Sequence, residues 1–86
     1  MNTFDDIIWK KHSIPGAIQG ILNLPEGFEL SVAASSFHYC SPREDLKSPD
    51  LFITFEVVVF NPEGDMVDEP MGWQSREDIN SLLSNY

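Results

Sequence analysis

The sequence predicts an α+β fold: an antiparallel five-stranded meander sheet with one C-terminal helix packed on one face. Three observations carry that expectation. Leu51 to Phe60, LFITFEVVVF, is a nearly unbroken apolar, β-branched and aromatic run that stops at Asn61-Pro62-Glu63-Gly64. Such side chains suit a pleated surface, Pro62 presets φ at the second turn position, and Gly64 accepts positive φ at the fourth. The same turn grammar recurs at Leu24-Pro25-Glu26-Gly27, ahead of a cleanly alternating segment. Finally, Ser75-Arg76-Glu77-Asp78 has the form of a capping box before a helical stripe, with Asp78 in place of the usual Glu or Gln.

The elements follow in chain order. Asp6 to Lys11 is expected to be the first strand, because Ile7, Ile8 and Trp9 favour extended backbone over the alternative of a helical turn. Ser13-Ile14-Pro15-Gly16 has the Pro-Gly order of a type II turn. Ala17 to Leu22 forms the second strand, where Gly20 marks a bulge or a close backbone approach. In the third, Phe28 to Ser35, the residues Phe28, Leu30, Val32 and Ala34 face one way and Glu29, Ser31, Ala33 and Ser35 the other, a half-buried antiparallel pattern. The least patterned stretch, from Ser36 to Asp50, is a long charged connection between Pro42 and Pro49. Leu51 to Phe60 is the fourth strand. Its odd positions are all apolar and its even ones mixed, which predicts a central strand. Asp65 to Asp68 is a short fifth strand ended by Pro70. Gly72 and Trp73 are expected to turn the chain and lay the indole over the edge of the core. In the helix, Ile79, Leu82, Leu83 and Tyr86 fall on one stripe, which must dock on the sheet because so short a helix is marginal alone.

Eighty-six residues make a single domain spanning 1–86, with a small core. The chain has 14 acidic and 5 basic residues, net −9. That charge repels phosphates, so direct nucleic acid binding is not expected; it favours either basic partners or simple solubility. The one cysteine, Cys40, excludes an intramolecular disulfide and fits a reducing compartment. The opening MNTFDDIIWKK lacks the basic start and apolar stretch of a signal peptide, and no apolar run reaches the roughly 18 residues of a membrane span. The expected location is the cytoplasm.

Few constellations carry chemistry. His38 and Cys40, with His12, are the candidate metal ligands, yet a zinc site needs three or four ligands at recognisable spacing, and no second cysteine exists. A Cys-His nucleophile would need a base brought across the fold. The acidic pairs Asp5-Asp6, Glu44-Asp45, Asp68-Glu69 and Glu77-Asp78 sit in loops or at a helix start, where solvated charge is the simpler reading than acid–base catalysis. Glu56 differs: it interrupts an apolar strand, and either faces solvent or pairs with Arg43, Lys10 or Lys11. Phosphate-binding, dinucleotide, nucleophile-elbow and calcium-loop motifs are all absent from the sequence. No enzyme, cofactor or metal is therefore expected. What remains is a binding surface, with Trp9, Phe37, Tyr39 and Trp73 as its aromatic candidates.

The chain also resembles a group of short uncharacterised bacteriophage accessory proteins. The resemblance is carried by Phe4-Asp5-Asp6-Ile7, His12, Gly27, Leu30-Ser31-Val32, Tyr39-Cys40-Ser41-Pro42-Arg43, Phe55-Glu56-Val57, Gly72-Trp73 and Asp78-Ile79. It implies a phage-encoded accessory protein made in the host cytoplasm, and draws attention to Tyr39 through Arg43. The expected function is non-enzymatic: stoichiometric binding of a basic host protein or complex, such as a nucleic-acid-handling defence assembly, in the manner of an anti-CRISPR. Glu44, Asp45, Glu63, Asp65, Asp68 and Glu69 would mimic phosphates, with Tyr39, Arg43 and Trp73 beside them. The alternative is a self-associating scaffolding module, a homodimer formed through a sheet edge or exposed aromatics.

Overall fold

The computed structural model describes residues 2–11 and 16–86; His12 and the expected turn at Ser13-Ile14-Pro15 lie outside the described residues. Five strands form one antiparallel sheet in chain order: β1 (Ile8–Lys11), β2 (Ile18–Asn23), β3 (Glu29–Ala34), β4 (Thr54–Phe60) and β5 (Met71–Ser75). The helix α1 (Arg76–Leu83) follows and packs against the sheet. The predicted α+β meander is the observed fold. None of the described helices is long and apolar enough to cross a membrane.

One face of the sheet is the core face. Phe55, Val57 and Val59 of β4 point into it, as do Leu30, Val32 and Ala34 of β3. Ile79 and Leu83 of α1 cover this face, with Leu82 half-buried beside them. Phe55 is the centre of an aromatic cluster, its ring 5.2 Å from Phe4, 5.6 Å from Trp9 and 6.1 Å from Phe52. Trp9 is thus half-buried, packed against the core. It lies over Gly20, where a Cβ would run into both Ile7 and the indole. Close approach, not a bulge, explains that glycine.

The two Pro-Glu-Gly turns close as hairpins. In the second, Gly64 N–H donates to Asn61 O at 2.9 Å, and Asn61 Oδ1 accepts from Glu63 N and Asp65 N. Gly64 takes φ +87, as the turn grammar predicts. In the first, Leu24 N–H donates to Phe28 O, and Glu26 joins Gly27 in the left-handed region at φ +63.

The structure moves three expected boundaries. The first strand starts at Ile8, because Phe4–Asp6 form a 3-10 turn in which Asp6 Oδ2 accepts Thr3 N–H. The fourth starts only at Thr54. Pro49–Leu51 form another 3-10 turn, with Ser48 Oγ accepting Asp50 N–H. The expected alternation breaks there: Phe52 is buried, whereas Leu51 and Ile53 are exposed. β4 is internal, but the middle strand is β3.

The third correction is the largest. Asp65 to Asp68 is not a strand. Only Met66 bridges Phe60, with Val67 N–H donating to Val59 O. The fifth strand is Met71–Ser75, the segment expected to be a turn. Met71 packs against the core opposite Val57, and Ser75 ends the strand by capping α1. Ser75 Oγ accepts Asp78 N–H at 3.1 Å while Asp78 Oδ2 accepts Ser75 N–H at 3.0 Å, so an aspartate closes the capping box.

A candidate binding surface at the β4–β5 bulge

Between β4 and β5 the register slips. Phe55 pairs with Gln74 and Val57 with Met71, leaving Glu56 opposite two residues, Gly72 and Trp73. The second residue absorbs the irregularity: Trp73 has φ +53. A bulky side chain in the left-handed region costs on the order of 1–2 kcal/mol. The indole it carries is not used as core, being 54% exposed. It does not lie over the core edge as expected.

Residues 35–40 turn tightly beside this bulge. Ser35 is fully buried, its hydroxyl accepting Phe37 N–H at 3.0 Å and hydrogen-bonding His38 Nδ1 at 2.6 Å. Cys40 points inward, its thiol donating to Ser35 O at 3.2 Å. Burial pushes its pKa up, against weaker opposing effects from the Ser35 hydrogen bond and Arg43. Phe37 and Tyr39 are thereby thrown outward, 69% and 52% exposed.

Tyr39 joins loop to bulge. Its N–H donates to Glu56 Oε1 at 3.2 Å, and its carbonyl accepts Trp73 N–H at 2.8 Å. Its ring lies 5.1 Å from the Trp73 ring at 31°, and the Arg43 guanidinium sits 5.5 Å from its centre. Gly72 makes the approach possible, since a Cβ there would fall 2.6 Å from Tyr39 Cβ. Arg43, Tyr39 and Trp73 form one stacked column on the solvent side of the sheet, tied to Glu56 below. Glu56 therefore uses its carboxylate on a backbone N–H.

The six acidic candidates do not share this coherence. Glu44 and Asp45 lie in the connection before β4, where Asp45 Oδ1 accepts both Ser36 N–H at 2.9 Å and Ser36 O–H at 2.8 Å. Those bonds, the backbone one first, hold its carboxyl below the ordinary 3.8. Glu63 and Asp65 lie in the hairpin turn after β4, and Asp68 and Glu69 on the way back to β5. Six residue steps along β4 separate the two ends, about 20 Å at ~3.4 Å per residue. Glu44 and Asp45 thus stand apart from Glu63 and Asp65. Among the described residues no three His, Cys, Asp or Glu side chains gather as metal ligands; His38 and Cys40 have structural partners instead. No known family model, curated protein or solved structure matches the chain.

Proposed function

We propose that this protein is a non-enzymatic binding module that docks a basic protein surface through the Arg43–Tyr39–Trp73 column. The carrying observation is Trp73: a tryptophan held at φ +53 by a β-bulge, with more than half its surface open. Strained backbone at a bulge costs stability, and such sites concentrate where a side chain must be aimed at a ligand. Tyrosine, tryptophan and arginine are also the residues that anchor interfaces.

The net charge of −9 supports a cationic partner, and guanidinium groups stack well on aromatic faces, as Arg43 does on Tyr39. Acidic side chains at both ends of β4 would act as a rim that speeds encounter, with the affinity centred on the rings. In the phage setting implied by the sequence resemblance, the partner is a host nucleic-acid-handling or defence complex, blocked stoichiometrically. The test is affinity capture from host lysate with wild type and Trp73→Gly side by side. A stoichiometric partner lost in Trp73→Gly and weakened by added salt supports the reading. No recovered partner, or binding indifferent to both changes, refutes it.

A further inference from the structure

The carboxylate of Glu56 has more bonding capacity than the fold uses. It lies between buried Phe55 and Val57 on β4, half-buried on the face away from the core. Oε1 accepts Tyr39 N–H at 3.2 Å. Among the described residues Oε2 has no hydrogen-bond partner and no side-chain cation pairs with either oxygen; Arg43 stacks on the Tyr39 ring instead. A carboxylate drawn partly out of water and given one neutral donor can still accept a charged one. Trp73 stands opposite it in the bulge, and Tyr39 binds both, since its carbonyl accepts Trp73 N–H at 2.8 Å. The indole touches the Tyr39 ring, yet among the described residues no cation lies over the indole itself.

We infer that Trp73 and Glu56 together receive an arginine side chain from the surface of the protein partner. The inference rests on the docking role proposed for the column and gives its ligand a chemical identity. A guanidinium is a flat cation with a fork of N–H donors. One such group can lie on the indole face while its edge donates to the unused oxygen of Glu56. A lysine ammonium is a compact, strongly hydrated charge, and it cannot cover a ring and fork a carboxylate at once. Arg43 displays the first half of this arrangement within the chain, its guanidinium 5.5 Å from the centre of the Tyr39 ring. The charge of Arg43 is matched by that of Glu56, and the net −9 of the chain still draws a cation in.

The test titrates two probes of equal charge, N-acetyl-arginine amide and N-acetyl-lysine amide, into the full chain at constant ionic strength. The readout is the indole N–H resonance of Trp73, with half-buried Trp9 as the internal reference. The expected result is a saturable shift at Trp73 with the arginine probe, Trp9 unmoved, and the lysine probe weaker by roughly fivefold or more. Glu56→Gln keeps an oxygen for Tyr39 N–H but removes the charge. It should retain the near-ultraviolet signal of the Tyr39–Trp73 pair and weaken the arginine probe by a similar factor. Equal binding of the two probes overturns the inference. So does the absence of any shift at Trp73, or arginine binding that Glu56→Gln leaves unchanged. If a partner captured by wild type is still lost in Trp73→Gly, each of those results removes the arginine and leaves the docking role standing. Arginine-selective binding at Trp73 with no partner captured supports the pocket and counts against the docking role alone.

Discussion

Removing Arg76 should destabilise the fold far more than removing an ordinary exposed cation. Its guanidinium donates through Nη1 to Phe52 O and through Nη2 to Pro49 O, both at 2.9 Å. It also lies 4.9 Å from the Phe4 ring centre and 5.3 Å from that of Phe55. It therefore ties the 3-10 turn before β4 to the aromatic centre of the core. Two competing terms set the size of the effect. Charged hydrogen bonds contribute roughly 1.5–3 kcal/mol each, and cation–π contacts about 0.5–2 kcal/mol. Water can replace part of this at half-buried carbonyls. Against it, a cation in the first helical turn opposes the helix dipole by about 0.3–1 kcal/mol, which Arg76→Ala relieves. The net cost should be about 2–4 kcal/mol, or on the order of 10–25 °C in Tm for a domain this small. Arg76→Lys keeps the charge but loses the fork, and should recover no more than about half. Urea denaturation followed by circular dichroism measures both, and hydrogen exchange should show residues 49–53 opening first. An Arg76→Ala variant within about 0.5 kcal/mol of wild type, or a lysine equal to arginine, would refute the reasoning.

Three other consequences are open to measurement. Gly72→Ala puts a methyl group against Tyr39 and should cost about 1–3 kcal/mol, with loss of the near-ultraviolet signal of the Tyr39–Trp73 pair; an unchanged signal would contradict the packing described. Ser75→Ala should cost about 1 kcal/mol in chemical denaturation, because it opens the capping box at α1. The Cys40 pKa is raised by burial, so its contribution to stability is fully present below the unfolded-state thiol value and is lost as pH rises through the folded one. Alkylation of Cys40 should accordingly be slow in the native protein and fast in denaturant; equal rates would place the thiol at the surface.

Residues that act through local rules announced themselves in the sequence. The alternation of Phe28 to Ser35 gave its strand, Asn61-Pro62-Glu63-Gly64 gave its turn, and Ser75 with Asp78 gave the start of α1. The fifth strand was hidden by its own bulge, because Gly72 and Trp73 break the two-residue period and mimic a turn after Pro70. The start of β4 was hidden for a different reason. Leu51, Phe52 and Ile53 are all apolar, so periodicity cannot separate a 3-10 turn from a strand there. Tyr39, Arg43 and Trp73 were identifiable one at a time from residue type. Their convergence rests on a long-range bond from Trp73 N–H to Tyr39 O, which leaves no local mark. Glu56 illustrates the same limit: its partner is the Tyr39 backbone N–H, which a search for complementary side chains does not find.

The proposed binding role of Trp73 is tested most directly by Trp73→Gly, because that change separates binding from folding. Glycine accepts φ +53 without strain, which offsets the roughly 0.5–1.5 kcal/mol lost with the Tyr39 ring contact. The variant should melt within a few degrees of wild type. In parallel titrations of the partner captured by wild type, it should lose binding by roughly tenfold or more. Unchanged affinity in a folded Trp73→Gly protein would contradict the account, because the strained tryptophan would then serve no partner.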